Sequence, residues 1–252
     1  MELLEIGKYV LLIGVGFLAG FINTIAGGGT LLTMPMLIFM GLPPSVANGT
    51  NRVAILIQTA IGVKGFQTKG VTTHPFSIYL GISAFFGSLI GAQIAVDIKG
   101  ETFNKILAII MVMVVLMMVF KPKVSLSEMV ERTTGKYLYI SIIIFFFLGI
   151  YGGFINAGIG FMMLIVLPYV NRLSLVKSNA TKVAVVCIYT VAAVLLFAYH
   201  DKINWKYGLI LAIGNASSAW ISSRWSVKKG DETIKKIVVV MICVLAIKLW
   251  FF

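Results

Sequence analysis

The sequence predicts an all-α integral membrane protein of two homologous helical repeats, each with a glycine-broken re-entrant or half-helix segment, and about eight full transmembrane helices. Three observations predict it. Hydrophobic residues make up 59% of the 252 residues and charged ones 12%, more apolar surface than a water-soluble core can hide. Apolar runs close to the ~20 residues needed to cross a bilayer recur along the chain. The runs of the second half repeat those of the first in order and, in part, in sequence.

The first run, at about 9 to 26, follows MELLEIGK, where Glu2, Glu5 and Lys8 give no net positive start, and it ends in NTIAGGG rather than a small-residue cleavage site. It reads as a retained membrane helix and not as a signal peptide. Runs at about 29–41, 46–66, 75–96 and 102–120 follow. KPKVSLSEMVERTTGK, from Lys121 to Lys136, is the longest hydrophilic stretch. It divides the chain into a first repeat (1–120), a polar linker (121–136) and a second repeat (137–252). Runs at about 137–157, 160–170, 178–199, 204–224 and 233–250 complete the second repeat.

The repeats match in detail. GFINTIAG, from Gly20 to Gly27, lies opposite GFINAGIG, from Gly153 to Gly160, at an offset of 133 that also pairs Pro35 with Pro168. Further on the register slips, and NGTNRVA (Asn48 to Ala54) meets NATKVA (Asn179 to Ala184), with Lys182 in the position equivalent to Arg52. Internal duplication is the usual construction of secondary transporters, with the binding site at the interface between repeats.

The second run of each repeat is too short to span comfortably. If the first two runs enter and return, each repeat makes an odd number of crossings and the repeats are inverted; if they join into one pass, the repeats are parallel. Lys and Arg accumulate on the cytoplasmic side. The parallel arrangement divides the 21 basic residues almost evenly, whereas the enter-and-return arrangement groups roughly two thirds of them on one face. This favours inversion in a multi-pass protein of the cell membrane, with the N-terminus outside and the central linker in the cytoplasm.

Backbone that leaves helical geometry within hydrocarbon survives only where it faces protein or a watery cavity. The breaks therefore mark the candidate site. Gly27, Gly28 and Gly29 allow conformations closed to other residues, and the helix after them offers free N–H groups and a positive dipole end to an anion. Gly158 and Gly160 form the counterpart break. Asn23 and Asn156 precede the breaks, and an unpaired amide there is costly; each either caps its helix or touches substrate. Asn48, Thr50 and Asn51, and in the second copy Asn179 and Thr181, are expected to line the site, with Gln58 on the same face as Asn51. From Val53 only eleven residues run to Lys64, so a helix of spanning length carries Arg52 or Lys64 inside the bilayer unless that cation snorkels. None of the nine acidic residues falls within an apolar core to neutralise it, so a bound anion is one candidate partner. Lys182 is the second candidate cation. Gly87 with Gly91, and Gly214 with Ser218, are small residues four apart and read as helix-packing positions.

At these residues the chain resembles a known family, the TauE/SafE sulfite exporters, also called the 4-toluene sulfonate uptake permeases. The resemblance rests on GFLAGFINTIAGGGTLLTMPMLIFMGLPPSVANGTNRVA in the first half and GIYGGFINAGIGFMMLIVLPYV in the second, and covers essentially the whole chain. The triple glycine, Pro35 and Ala47-x-Gly49-Thr50 are its most specific features. The second copy departs from it, with Gly-Ile-Gly in place of the triple glycine. The resemblance implies a permease for a small sulfur-containing anion such as sulfite or a sulfonate.

Other classes fit less well. An intramembrane enzyme needs a nucleophile with a base, or a metal-binding pair, at bilayer depth, and the sequence shows no catalytic set, metal ligands or cofactor motif. His74 and His200 sit at segment borders, and Cys187 and Cys243 read as buried small hydrophobes. The net charge of +12 suits cytoplasmic loops and anionic lipid rather than nucleic acid, for which no domain is left. A non-transporting assembly subunit and an anion channel remain the alternatives to a secondary transporter. Coupling to a proton or another ion, and the oligomeric state, are not written in the sequence.

Overall fold

A computed structural model describes residues 2–119 and 130–251, so most of the 121–136 linker lies outside the described residues. Among those described the chain is helical throughout: α1 (Glu2–Ile25), α2 (Thr30–Phe39), α3 (Pro44–Gln67), α4 (Phe76–Asp97), α5 (Gly100–Val119), α6 (Gly135–Phe154), α7 (Ile159–Asn171), α8 (Leu175–Tyr199) and α9 (Trp205–Phe251). The last two predicted runs lie in α9, where Gly230, at φ 71° and ψ −177°, marks the join between two helices.

Among the described residues four helices, α1, α4, α6 and α8, are long and apolar enough to cross a membrane. Helix α3 has the length, 24 residues, but it carries Asn48, Thr50, Asn51, Arg52, Gln58 and Thr59. All six are buried within the protein instead of facing lipid, which is where a membrane helix keeps its polar groups.

Which ends meet fixes the helix directions. Gly16 lies against Leu211 and Asn215, and Gly20 against Asn215 and Ser218, so α1 and α9 run parallel. Gly149 lies against Ala84 and Gly153 against Ser88, so α6 and α4 run parallel. The glycines of the second contact are those of the first displaced by 133 residues. The fourth helix of each half thus packs on the first helix of the other half, through glycines that let backbones touch. Gly87 and Gly91 face the α6 backbone and Gly214 faces α1, the packing role expected of them. Helices α3 and α8 are antiparallel: Gly49 meets Phe197 and Lys202 at one end, and Phe66 packs with Ala180 and Val183 at the other.

The short helices double back. Gly29 lies against Ala19 and Asn23 of α1, while Leu37 near the end of α2 packs with Leu12 of α1. In the second half Ile159 packs against Gly152 at the end of α6, and Asn171 at the end of α7 is hydrogen-bonded to Ser141 near the start of α6. The two turning points share one core, in which Ile25 and Ala26 pack with Ile155, Ala157 and Phe161, and α5 covers them with Phe103 and Leu107.

Candidate functional site

The two chain breaks touch. After α1 the N–H groups of Ala26 and Gly27 both return to the carbonyl of Ile22, and Gly27 turns left-handed at φ 87°. After α6 the turn uses Asn156 (φ 63°) and Gly158 (φ 72°), residue types that tolerate this region. A side chain at Gly27 would put its Cβ 2.5 Å from the Gly160 Cα. Gly29, packed on Ala19, has no such room either, whereas Gly28 faces only Leu31 and Ile22 at 3.8 and 4.0 Å.

A helix that stops inside the protein leaves its last carbonyls without partners. Here cations from the other half take them. Arg52, fully buried, donates from Nη1 to the Gly152 carbonyl, from Nη2 to the Gly153 carbonyl at 2.9 Å, and from Nε to Asn48 Oδ1 at 3.3 Å. Asn48 Nδ2 donates to the Phe154 carbonyl at 2.7 Å. Lys182 Nζ donates to the carbonyls of Asn23 and Thr24, at 2.9 and 2.8 Å, and to Asn179 Oδ1 at 2.7 Å. The positive groups sit on the negative ends of α6 and α1, where the helix dipole favours them. Neither cation snorkels. Arg52 does not need an anion to be satisfied, because backbone carbonyls already surround it.

The two cations are not equivalent, as their register in the sequence had suggested. Arg52 lies four residues after Asn48 and Lys182 three after Asn179. Counting from the paired asparagines, Lys182 aligns with Asn51 and Arg52 with Val183. Lys182 therefore reaches the break itself, and Arg52 the turn before it.

Between the breaks is a cavity of about 10 Å³, lined by Asn23, Gln58, Thr59, Asn156, Ile159, Gly160, Lys182, Val183 and Val186. It has room for about one water. Asn23 Nδ2 donates to Gln58 Oε1 at 3.3 Å. Asn156 accepts from the Tyr189 hydroxyl and donates to Thr30 Oγ1 at 3.2 Å. Gln58 and Tyr189 each stand ten residues after the paired asparagines of their helices, so the same polar bridge is made twice with different chemistry. Sequence reasoning missed Tyr189, though the spacing that pairs Asn48 with Asn179 would have found it.

Of the expected site residues, Asn23, Asn156, Gly160 and Lys182 face this cavity, and Gly27, Gly28, Gly29 and Gly158 build the turns beside it. The others sit elsewhere. Thr50 Oγ1 accepts from the Asn204 N–H at 2.9 Å. Thr181 donates to the Lys177 carbonyl at 2.8 Å and lines a second, larger cavity of about 470 Å³. Asn51 is buried and neither of its side-chain polar atoms has a partner.

Relatives match the chain along nearly its whole length. A probable membrane transporter protein of Haemophilus influenzae is 30% identical over 90% of this chain and 88% of its own. The probable membrane transporter protein YfcA of Escherichia coli is 28% identical over 95% of this chain and 90% of its own, and the probable membrane transporter protein ORF9 of a Sinorhizobium is 25% identical over 92% and 88%. No solved structure matches. Residues 12–249, from the middle of α1 to the end of α9, match the family described as Sulfite exporter TauE/SafE, and the chain belongs to that family.

Proposed function

We propose that the protein is a secondary transporter of a small anion, sulfite, a sulfonate or a related sulfur oxyanion, and that the substrate passes between the two breaks. The observation that carries this reading is the central cavity. Its walls come from both halves and present one cation, Lys182, three amides, Asn23, Gln58 and Asn156, and no carboxylate. Amide N–H groups and an ammonium around a pocket without acids suit an oxyanion. At about 10 Å³ the cavity is too small for sulfite, so this is a shut state in which the two halves must part to admit substrate.

The pairing of helices supports inverted repeats. Equivalent helices α3 and α8 run antiparallel, and each α1-type helix holds the other half's fourth helix in the same register. Inversion places the basic ends, including Lys64, Arg132, Lys177 and Arg224, on one face, read as cytoplasmic, with the N-terminus outside. The test is flux of labelled sulfite and simple sulfonates in vesicles holding the purified protein. Saturable flux supports the proposal. Neither flux nor binding for any small oxyanion would leave an assembly role, and flux that never saturates would indicate a channel.

A further inference from the structure

The two ends of the α3–α8 pair are held differently. At one end the 200–204 loop is seated on α3: the Lys202 carbonyl occupies the space a side chain at Gly49 would need, the Asn204 N–H bonds Thr50 Oγ1, and Asn48 docks on the Phe154 carbonyl. At the other end, none of the three is matched. Ala180 stands where Gly49 does, and Val71 of the 68–75 loop packs on the cluster that holds its methyl group. The Thr181 hydroxyl turns back to its own helix, and the cavity of about 470 Å³ lies there, between Thr72–Tyr79, Glu131–Leu138 and Leu173–Thr181. The counterpart of the Asn48 bond is also missing. Asn179 Nδ2 is buried with no partner, and displacement by 133 residues places its acceptor at the Phe21 carbonyl, as Phe154 serves Asn48.

An orphaned buried amide costs free energy in the state that leaves it so, and repeats of this kind exchange conformations as access alternates. We propose that Asn48, Gly49 and Thr50 form a latch that holds the 200–204 end shut at rest while the 68–75 end is left unlatched. In the opposite state the latch releases and Asn179 docks on the Phe21 carbonyl. This rests on the transporter reading above. The difference between Gly49 and Ala180 sets which end is shut at rest.

The experiment uses the full chain with Cys187→Ala and Cys243→Ala, carrying a single reporter, Thr73→Cys beside the large cavity or Ile203→Cys under the latch. N-ethylmaleimide reaction rates are read in detergent. At rest Thr73→Cys reacts faster. Adding Gly49→Ala raises the Ile203→Cys rate and lowers the Thr73→Cys rate, each at least about fivefold, the worth of one hydrogen bond. Thr50→Val moves both the same way, Thr50→Ser restores them, and Asn179→Leu with Gly49→Ala returns the Thr73→Cys rate toward its resting value. Unchanged rates, or rates that rise together as in general loosening, overturn the latch. Sulfite flux in vesicles separates the two readings: a labelling shift without flux keeps the latch and removes transport, and flux without a labelling shift removes the latch alone.

Discussion

Gly27 and Gly160 meet backbone to backbone: a Cβ on Gly160 would lie 2.6 Å from the Gly27 Cα, and the reverse substitution clashes equally. Two chain reversals from opposite halves thus cross at one point, and Gly27 also holds a left-handed φ of 87°. Gly27→Ala and Gly160→Ala are each expected to cost about 2 to 3 kcal/mol through overpacking, with added strain at Gly27. Gly28→Ala, with open space around it, is expected to cost under about 1 kcal/mol. Thermal unfolding in detergent, run on all three, checks the order; a Gly28→Ala as damaging as the others would overturn the close-approach account of these glycines.

Arg52 binds the end of α6 from α3, and removing it leaves the carbonyls of Gly152 and Gly153 buried without donors. Arg52→Met is therefore expected to destabilise the protein by about 3 kcal/mol or more. Arg52→Lys keeps a charge and some donors on a different reach and is expected to recover part of that loss. Chemical denaturation of the purified protein measures both. Equal loss in the two variants would show that only the forked guanidinium geometry suffices.

Much of the fold was legible because it is written in one-dimensional signals. Apolar runs gave the helices, and the recurrence of GFIN and of paired prolines gave the two equivalent halves. The partner of Arg52 was not legible. A cation amid apolar residues with no nearby acid looks like an ion-binding site, yet its partners are the carbonyls of Gly152 and Gly153, a hundred residues away in sequence. Backbone groups have no sequence signature of their own; only the break after Phe154 hinted that carbonyls would be free. Matching letters pairs Lys182 with Arg52, and the helical register from Asn179 separates the two. Tyr189 carries no signal of its own, since a tyrosine in an apolar run reads as core until it is counted ten positions from Asn179.

Tyr189 supplies the bond that Gln58 supplies in the first half, and holds the Asn156 amide while that residue sits at φ 63°. Tyr189→Phe removes one hydroxyl from a buried pair without opening a cavity. It is expected to lower stability by about 1 kcal/mol and to reduce flux by more than that loss explains, because a freed Asn156 no longer fixes the wall of the central cavity. Comparing unfolding midpoints with vesicle flux separates these effects. A proportionate fall in both would confine Tyr189 to packing.

Lys182 is the one charged group on the central cavity, and its three donors are met by Asn23, Thr24 and Asn179. An anion entering the cavity would gain its charge without having to break those bonds, since the attraction acts through space. At an effective dielectric near 20, opposite charges about 4 Å apart attract by about 4 kcal/mol, part of which is spent on removing the anion from water. Lys182→Met is then expected to weaken oxyanion binding by about 2 kcal/mol, or roughly thirtyfold, and Lys182→Arg to keep much of it. Arg52→Lys, measured alongside, is expected to change binding little once the folded fraction is accounted for. Sulfite titrated into the detergent-solubilised variants gives the three affinities. If Lys182→Met binds as the unaltered protein does, the cation serves only to close the end of α1, and the substrate path must lie away from the crossing of the two breaks.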